Sequence, residues 1–359
     1  MRIALVSDCY LPRLGGIELQ VHDLAVHLIR AGHHVTVFTI TDGPDSAGDV
    51  PVVRLPAVAG VPLPRALDRL LSGLPDFDVV HCHSSLVSPL AWQAARLTDG
   101  ALLTLHSLPS ASMPWPAAGI ARYVGNVQWT AVSEAVAEVL RRLLPDRSLG
   151  VLHNGVDPML WRHTRRTDHP LTIVSTMRLA RRKRPMALLR MLEEIRAAVP
   201  PEVRLKAVVV GDGPQTRTAT AAVRRRGLSD WVDLPGRLTR FEIQQLYASA
   251  DVYLAPAELE SFGVAALEAR CAGLPVVAMA SGGVGEFVRP GVEGFLVNSD
   301  SEMVATVANL LIDDAVRSRI QNFNADTAPA MTWERVVAQH VAAYRTQHAL
   351  SAQCLTSAS

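Results

Sequence analysis

Two glutamates, Glu260 and Glu268, stand eight positions apart in the segment ELESFGVAALEARCAGLPVVA, residues 258–278. A helix is predicted over residues 263–272, with Ser261 as its N-cap. The first turn of a helix offers free N–H groups and the positive end of the helix dipole, which suit sugar hydroxyls or phosphate. A carboxylate there accepts hydrogen bonds from two hydroxyls of a polyol at once. A single glutamate at a helix start more often stabilises the dipole, but this pair predicts a polyol site.

Two cations, Arg178 and Lys183, follow a predicted strand over residues 171–176. An arginine fork and a lysine point charge together suit a diphosphate. The chain contains 33 arginines and two lysines, so a lysine kept at this position favours a specific role. The alternative is a solvated basic turn, because three more arginines surround the pair: Arg181, Arg182 and Arg184.

Three glycine-containing loops are candidates for phosphate binding, because bare glycines let backbone N–H groups approach an anion closely. They are Gly15-Gly16, Gly211-Asp212-Gly213 and Ser281-Gly282-Gly283. The second resembles part of a dinucleotide fingerprint but lacks its third glycine, which argues against NAD binding. An ordinary turn is the alternative for each loop.

Histidine and aspartate pairs complete the candidates. His106 ends a predicted strand, where it could contact a sugar or developing charge; a structural histidine is the alternative. His81 and His83 spell HxH, but no third ligand at metal-binding spacing accompanies them, so a metal site is rejected. Asp76 and Asp78 spell DxD. They precede their predicted strand, at the wrong end of the sheet, and are interpreted as turn residues.

The composition is typical of a folded chain with two domains. The chain has 359 residues, of which 49% are apolar and 19% charged, and its net charge is +1. This length exceeds what one core usually serves, and the charge argues against disorder and against a general binder of polyanions. Four cysteines without CxxC spacing predict a reduced, cytoplasmic protein without disulfides or zinc. No apolar stretch suggests a membrane span or a signal peptide.

Predicted strands and helices alternate along the chain, which predicts parallel sheets. In the first half, strands are predicted over residues 2–7, 34–40, 78–81, 102–106, 128–132 and 149–153, with a helix over 17–30. In the second half, strands are predicted over 171–176, 203–210, 231–234, 252–255 and 275–278, with helices over 185–198, 241–250 and 263–272. The candidate residues lie just after strands, where parallel sheets bind ligands.

The polar segment 162–170 is predicted to link two doubly wound, Rossmann-like α/β domains, residues 1–163 and 164–328. Residues 329–359 are predicted to form a helix that crosses back to the first domain, followed by a tail. With two such sheets, the two domains are expected to face a central cleft that holds the site.

Short motifs, taken together in their order and spacing, resemble those of the GT-B glycosyltransferases of family 4. The glutamate pair, followed by CAGLPVVAMASGGVGEFV, resembles the donor-binding signature of that family. The other motifs are Gly15-Gly16, DVVHCHS (78–84), LHS (105–107), VSE (132–134), HNGVD (153–157), RLARRK (178–183), VVVGDGP (208–214), VDLPGRL (232–238) and EGFLV (293–297). The resemblance extends to about Tyr344.

The resemblance implies the GT-B fold and a retaining transfer of a hexose or N-acetylhexosamine from a nucleotide-diphospho-sugar to an acceptor hydroxyl, without a metal or other cofactor. It implies that Arg178 and Lys183 stabilise the leaving diphosphate and that His106 contacts the sugar. It also implies that Glu260 binds hydroxyls of the donor sugar and Glu268 those of the ribose. Further donor-binding residues are implied at Gly15, Gly16, Gly211, Phe262, Gly263, Val264, Gly282 and Gly283.

The loop that carries the two cations departs from the family pattern at two positions. Met177 and Arg184 stand where glycine is common in the family. Because glycine is the most flexible residue, these replacements predict a stiffer loop.

The favoured donors are UDP-GlcNAc and GDP-mannose, followed by UDP-glucose. The first half resembles the GlcNAc transferase that starts glycosylphosphatidylinositol synthesis, and also bacterial mannosyl and GlcNAc transferases. A sugar-nucleotide epimerase or hydrolase of the same fold is an alternative, which would need further acids. A non-enzymatic binding protein is the second alternative, and a nucleic-acid partner is disfavoured by the net charge.

The acceptor is expected to be lipid-linked or a small molecule. A helix predicted over residues 63–71 places three leucines near one face, with Arg65 and Arg69 beside them: Leu67, Leu70 and Leu71. Such a basic amphipathic helix can lie on an anionic membrane, and Met113, Trp115 and residues 120–123 add apolar and basic groups. A peripheral contact with the inner face of the membrane is therefore the hypothesis. The alternative is that the leucines pack inside their own domain.

Overall fold

The computed structural model describes residues 1–109, 115–164, 166 and 168–357. The chain divides into two compact units, which we call unit 1 and unit 2. Unit 1 comprises Met1–Gly155 and the segment that begins at Met331, and unit 2 comprises Val156–Ala330. Residues 162–170, predicted as a linker, therefore lie within unit 2, where the Arg166 amide donates to the Ala248 carbonyl at 3.0 Å.

The described part of unit 1 forms an eight-stranded sheet and a small hairpin. The strands are β1 (Arg2–Ser7), β2 (His34–Thr39), β3 (Ser46–Ala47), β4 (Val50–Arg54), β5 (Ala57–Val58), β6 (Val61–Pro62), β7 (Val79–Ser84), β8 (Leu102–Leu105), β9 (Gln128–Ala131) and β10 (Leu149–Val151). The sheet order is β10-β9-β8-β7-β1-β2-β4-β3, parallel except for β3, and β5 pairs with β6. The central strands are buried along their whole length, as expected of a sheet covered on both faces.

Helices cover this sheet, and the C-terminal helix is one of them. They are α1 (Gly16–Arg30), α2 (Pro64–Gly73), α3 (Pro89–Leu97), α4 (Ala117–Val124), α5 (Glu134–Leu143) and a long C-terminal helix (Trp333–Ser357). The C-terminal helix contacts α1 and β7, and the Trp333 ring stacks on His27 with ring centroids 4.9 Å apart. Among the described helices, none combines the length with the apolar content that crossing a membrane requires.

The described part of unit 2 is a fully parallel six-stranded sheet with helices. Its strands are β11 (Leu171–Thr176), β12 (Leu205–Val210), β13 (Val232–Gly236), β14 (Val252–Ala255), β15 (Val276–Met279) and β16 (Gly294–Val297). Its helices are α6 (Pro158–Trp161), α7 (Pro185–Ala198), α8 (Thr216–Arg225), α9 (Arg240–Tyr247), α10 (Val264–Cys271), α11 (Asp300–Ile312) and α12 (Asp314–Asp326), and the C-terminal helix of unit 1 is α13. The sheet order is β13-β12-β11-β14-β15-β16.

Both sheets reverse their strand order once, and a reversal point is where open α/β sheets bind ligands. In unit 1 the reversal lies between β1 and β7, and in unit 2 between β11 and β14. The predicted fold class, two Rossmann-like α/β domains with parallel sheets, is confirmed. The strands β1, β11 and β14 and the helix α7 have the predicted bounds.

The glutamate helix starts later than the sequence predicts. Its N-cap is Gly263, not Ser261, and helix α10 begins at Val264. Gly263 has φ +93°, and a Cβ there would lie 2.8 Å from a methyl group of Val284. The prediction of Ser261 was wrong because side-chain capping preference was outweighed by this turn, which only glycine accepts without strain.

Candidate functional site

Two loops meet at the reversal point of the unit 2 sheet. The lysine loop, residues 177–184, follows β11, and the glutamate loop, residues 256–263, follows β14. The Lys183 ammonium donates to Glu260 Oε2 at 2.5 Å, and both side chains are largely shielded from solvent. The structure thus brings together a predicted phosphate-binding cation and a predicted sugar-binding carboxylate.

Arg178 lies in the same loop with its side chain exposed. It forms no side-chain hydrogen bond or ion pair to any residue that the structure describes. Its backbone is held on both sides, because Met177 N donates to the Val210 carbonyl at 3.0 Å and Leu179 N to the Asp212 carbonyl at 2.7 Å. The guanidinium is therefore anchored at its base and available to an anion at its tip.

The glycines after β12 permit this anchoring. A Cβ on Gly211 would lie 1.9 Å from the Met177 carbonyl oxygen, and one on Gly213 would lie 2.6 Å from that of Leu179. Both glycines also have positive φ. Gly211 is thus required where two backbones touch beneath Arg178, and its predicted contact with the donor stays a prediction.

The loop after β15 supports the glutamate loop in the same way. The Gly283 amide donates to the Glu260 carbonyl at 2.8 Å, and a Cβ on Gly282 would lie 2.8 Å from that oxygen. A Cβ on Gly283 would lie 2.4 Å from the Ser261 carbonyl oxygen. Both glycines are buried, so they fix the backbone that carries the Glu260 side chain.

Helix α10 carries the second glutamate next to two buried tyrosines. Glu268 is half-buried on this helix, which begins at Val264 directly after the buried Phe262. Burial raises the pKa of Tyr247 and of Tyr253, and the Glu268 carboxylate raises each further. The tyrosines were missed from the sequence, because nothing distinguishes them from the apolar residues around them. The Tyr253 hydroxyl donates to the carbonyl of Thr176, the last residue of β11, at 3.1 Å.

In unit 1 the glycine pair stands at the start of α1. The Arg13 guanidinium lies 3.1 Å from the buried Glu18 carboxylate, and a Cβ on Gly15 would lie 2.4 Å from a Glu18 oxygen. Gly16 is exposed, with open space where a Cβ would be. The first turn of α1 thus already contains the carboxylate of Glu18. The glycine pattern in the sequence did not predict this.

The reversal point of unit 1 also holds a carboxylate. Asp8 follows β1 and accepts hydrogen bonds from the amides of Leu90 at 2.9 Å and Ala91 at 3.1 Å, in the first turn of α3. Burial raises the pKa of Asp8 to about 6, although these two bonds lower it. Asp8 therefore caps α3 at the position where a ligand of this sheet would otherwise meet a helix N-terminus.

His106 belongs to a buried group of histidines. His106 Nε2 lies 3.0 Å from His83 Nδ1, and burial lowers the pKa of His106 to about 3. His81 is hydrogen-bonded to the Tyr344 hydroxyl at 2.8 Å and to Thr104 at 2.6 Å. Burial also holds the pKa values of His81 and His83 well below the usual range, so these rings are neutral at pH 7.

Other predicted residues lie elsewhere. Asp78 accepts a hydrogen bond from the Arg2 amide at 2.8 Å, and Asp76 lies 3.9 Å from the Arg2 guanidinium. Since Arg2 begins β1, both aspartates lie at the edge of the sheet opposite to His106. Within the described ranges, no three His, Cys, Asp or Glu side chains are grouped so that they could hold a metal ion.

Two family models match the chain. The model described as Glycosyltransferase Family 4 matches residues 14–160, and the model described as Glycosyl transferases group 1 matches residues 161–326.

Two relatives illustrate the similarity in sequence. A GDP-mannose-dependent alpha-(1-6)-phosphatidylinositol monomannoside mannosyltransferase of Mycobacterium tuberculosis is 30% identical, over 87% of this chain and 89% of the relative. A D-inositol 3-phosphate glycosyltransferase of Stackebrandtia nassauensis is 30% identical, over 75% of this chain and 68% of the relative.

Solved structures share the fold at lower identity. The sucrose-phosphate synthase of Thermosynechococcus elongatus superposes with a TM-score of 0.78 at 21% identity, over 97% of this chain and 99% of that one. HepE of Anabaena, in complex with UDP and glucose, gives 0.76 at 19% identity, over 94% and 98%. These likenesses show the GT-B fold for both units.

Proposed function

We propose that this chain, which belongs to glycosyltransferase family 4 and transfers a sugar from a nucleotide-sugar donor, uses GDP-mannose and retains the configuration of the anomeric carbon. The relative from Mycobacterium tuberculosis is named as GDP-mannose-dependent, which supports this donor. UDP-GlcNAc is the second candidate, on the resemblance of the first half of the chain to GlcNAc transferases.

The contact between Lys183 and Glu260 carries the proposal for the site. The two groups lie 2.5 Å apart at the reversal point of the unit 2 sheet, so a donor bound there meets a cation and a carboxylate together. In the proposal, Lys183 and Arg178 bind the diphosphate, and Glu260 accepts hydrogen bonds from hydroxyls of the sugar. Glu268 lies on α10, just over one helix turn after its first residue Val264, and in the proposal it binds the hydroxyls of the ribose.

The proposed chemical step is attack of the acceptor hydroxyl on the anomeric carbon from the face that the diphosphate leaves. The bond from the anomeric carbon to the diphosphate oxygen breaks as the new glycosidic bond forms. The acceptor proton passes to the departing phosphate, and the products are a glycoside and a nucleoside diphosphate. Arg178 and Lys183 lower the barrier because they neutralise the charge that develops on the leaving group.

We further propose that the two cations take the place of a metal ion in neutralising the diphosphate. Arg178 is exposed, and Lys183 is paired with the Glu260 carboxylate. In the proposal, the donor diphosphate takes the place of Glu260 as the partner of Lys183, while a sugar hydroxyl donates to Glu260. Turnover in excess EDTA tests this proposal, and it should equal turnover without chelator. Full inhibition that Mn²⁺ or Mg²⁺ reverses would refute metal independence.

A lipid-linked acceptor is proposed on the name of the mannosyltransferase relative, which acts on a phosphatidylinositol mannoside. Part of the hypothesised membrane face was wrong, since Leu70 is fully buried inside unit 1. The side chains of Leu67 and Leu71, and all of Met113, lie outside the described residues. Apolar exposure is instead found on the β5–β6 hairpin, where Val58 and Val61 are 63% and 56% exposed.

Peripheral docking through this hairpin and helix α2, which follows it and carries Arg65 and Arg69, is tested by sedimentation with vesicles. Binding to anionic vesicles that weakens with salt and with Arg65→Glu plus Arg69→Glu would support docking. No sedimentation with anionic or neutral vesicles would favour a small soluble acceptor.

The donor is tested by thermal shift with GDP-mannose, UDP-GlcNAc, UDP-glucose, GDP and UDP. A ligand at 100 times its Kd stabilises the protein by about 2.7 kcal/mol. Nucleotides with the correct base should therefore raise the melting temperature more than the others. NMR of the product then reports whether the anomeric configuration is retained. Incubation of the donor alone should yield no epimerised sugar, whereas epimerisation would favour the alternative enzyme.

A further inference from the structure

Three consecutive basic residues of the lysine loop each contact the glutamate loop. Arg182 donates to the Leu259 carbonyl at 3.1 Å, Lys183 to Glu260 at 2.5 Å, and Arg184 to the Pro256 carbonyl at 3.0 Å. These contacts lie between residues that are 72 to 77 positions apart in sequence. The basic residues 182–184 therefore connect the two loops. In a solvated turn, these side chains would make no contacts with the glutamate loop.

Arg184 holds an unusual backbone conformation to make its contact. It has φ +58° and ψ 42°, in the left-handed region that glycine favours, immediately before the first residue of α7. A non-glycine residue persists there only where its surroundings fix it. Among the described residues other than glycine, Ala59 is the one other case of positive φ.

The surroundings that fix Arg184 are charges. Its guanidinium lies 3.1 Å from Glu258 and 2.9 Å from Asp300, the first residue of α11. A planar guanidinium can bind a carbonyl and carboxylates at the same time, which a lysine ammonium cannot do in the same geometry. Arg184 thus ties three segments of unit 2 together: the lysine loop, the glutamate loop and the start of α11.

We propose that Arg184, helped by Arg182, is a positioning residue that clamps Lys183 against Glu260 and so prepares the donor site before the donor arrives. A preformed site lowers the ordering cost of binding, so the clamp increases affinity for the donor. The inference rests on the proposed roles of Lys183 and Glu260.

The variant Arg184→Gly tests the clamp, because glycine adopts φ +58° without strain and the loop can keep its path. The chain has two lysines, Lys183 and Lys206, so protein labelled with ¹³C-lysine gives one Cε signal for each. The Lys206→Arg variant assigns them. In Arg184→Gly, we expect the Lys183 signal to move towards the position of free lysine, while the Lys206 signal stays.

The kinetic readout is the KM for donor, measured with GDP-mannose and with UDP-GlcNAc. We expect Arg184→Gly to raise it on the order of tenfold, the scale of one hydrogen bond to a charged group, with the acceptor KM unchanged. Added guanidinium ion, at concentrations that leave the wild-type protein unaffected, should restore part of the loss. Arg184→Lys should show an intermediate effect, because it keeps the charge and loses the fork.

The matched control is Arg181→Ala. Arg181 is exposed in the same turn, and its side chain forms no hydrogen bond or ion pair with the described residues. Its carbonyl accepts a hydrogen bond from the Arg184 amide at 3.1 Å, which alanine keeps. Loss of the Arg181 guanidinium should therefore leave the donor KM and the Lys183 signal unchanged.

An unchanged Lys183 signal in Arg184→Gly would overturn the clamp. An Arg181→Ala variant that matches Arg184→Gly would also overturn it, because a general loss of positive charge would then explain both. Failure of the proposed function is a separate result, in which Lys183→Ala retains turnover. The clamp would still be tested in that case, because the Lys183 signal is compared between the wild type and Arg184→Gly.

Discussion

The carboxyl edge of the unit 1 sheet carries a group of buried neutral histidines, whereas the same edge of the unit 2 sheet carries an ion pair. His83 and His106 lie 3.0 Å apart without charge, while Lys183 and Glu260 lie 2.5 Å apart with opposite charges. Apart from the edge strand β3 of unit 1 both sheets are parallel, and each has one reversal point. The shared architecture therefore does not set the electrostatics of the edge.

The reversal points of the two sheets also differ in which group occupies the nearby helix N-terminus. In unit 1 the carboxylate of Asp8 already caps α3, so the helix N-terminus has its anion. In unit 2 the N-cap of α10 is Gly263, which has no side chain to satisfy the first turn. A phosphate or hydroxyl can bind there, because the amides are not committed to a side chain of the cap. Unit 2 is thus the side on which we expect the diphosphate.

The largest expected effect is that of Lys183→Ala in unit 2. Its loss should lower kcat on the order of 100-fold or more, because the leaving diphosphate loses a preorganised charge partner. Lys206→Ala is the matched control, since Lys206 pairs with Asp233 on an exposed face and is the second lysine of the chain. Steady-state kinetics with circular dichroism of both variants measures the difference. A kcat close to the wild-type value in Lys183→Ala would remove this residue from the mechanism.

Acid should destabilise unit 1 before unit 2. Burial lowers the pKa of His106 to about 3 and of His340 to about 4, so protonation favours the unfolded chain. The stability that these histidines provide is complete above their unfolded pKa of about 6.5 and is lost as pH falls towards 4. His340 alone contributes about 3 kcal/mol on this basis. Asp8, with its raised pKa, acts in the opposite direction below pH 6.

Hydrogen exchange at pH 7 and at pH 5 measures this effect segment by segment. Peptides of unit 1 should lose protection at the lower pH while those of unit 2 keep it, and His340→Leu should reduce the difference. Equal loss in both units would show that the buried histidines do not control acid stability.

Gly211→Ala should disrupt the backbone that carries the Arg178 side chain. A Cβ at this position would lie 1.9 Å from the Met177 carbonyl oxygen, so one of the two backbones must move. Gly227→Ala is the control that measures backbone strain without a steric clash, because Gly227 has φ +65° and open space around the Cβ position. We expect about 1–2 kcal/mol of destabilisation for Gly227→Ala from the left-handed backbone alone, and clearly more for Gly211→Ala. Urea unfolding of both variants tests this, and equal losses would contradict the close packing.

The smallest effect is expected for the partner of His106. Asparagine places its amide near the Nδ1 position of a histidine ring, and glutamine near Nε2. Because His83 Nδ1 faces His106, His83→Asn should keep this hydrogen bond and His83→Gln should lose it. We expect a loss of about fivefold to tenfold in kcat/KM for His83→Gln, the scale of one hydrogen bond, and less for His83→Asn. The reverse ranking would mean that His83 does not position His106.

Much of the fold could be predicted from the sequence, because local patterns specify it. The largely apolar runs of β1, β11 and β14 and the amphipathic pattern of α7 have the predicted bounds. Five strands were missed: β3, β4, β5, β6 and β16. Of these, β3, β5 and β6 have two residues each, and runs as short as these carry little periodicity. The boundary near residue 163 was predicted from polarity, whereas contacts divide the chain after Gly155.

Residue types and spacing were sufficient to choose Arg178, Lys183 and Glu260 as candidates and to recognise the family. Only the tertiary structure decided that Lys183 and Glu260 touch, because their 77-residue separation in sequence carries no information about distance. It also decided that Arg184 is a tether and that Asp8 caps a helix 82 residues away. The physical reason is that a charge has the same appearance in sequence whether it is solvated or paired. Its role depends on the groups that the strand order brings within hydrogen-bond distance.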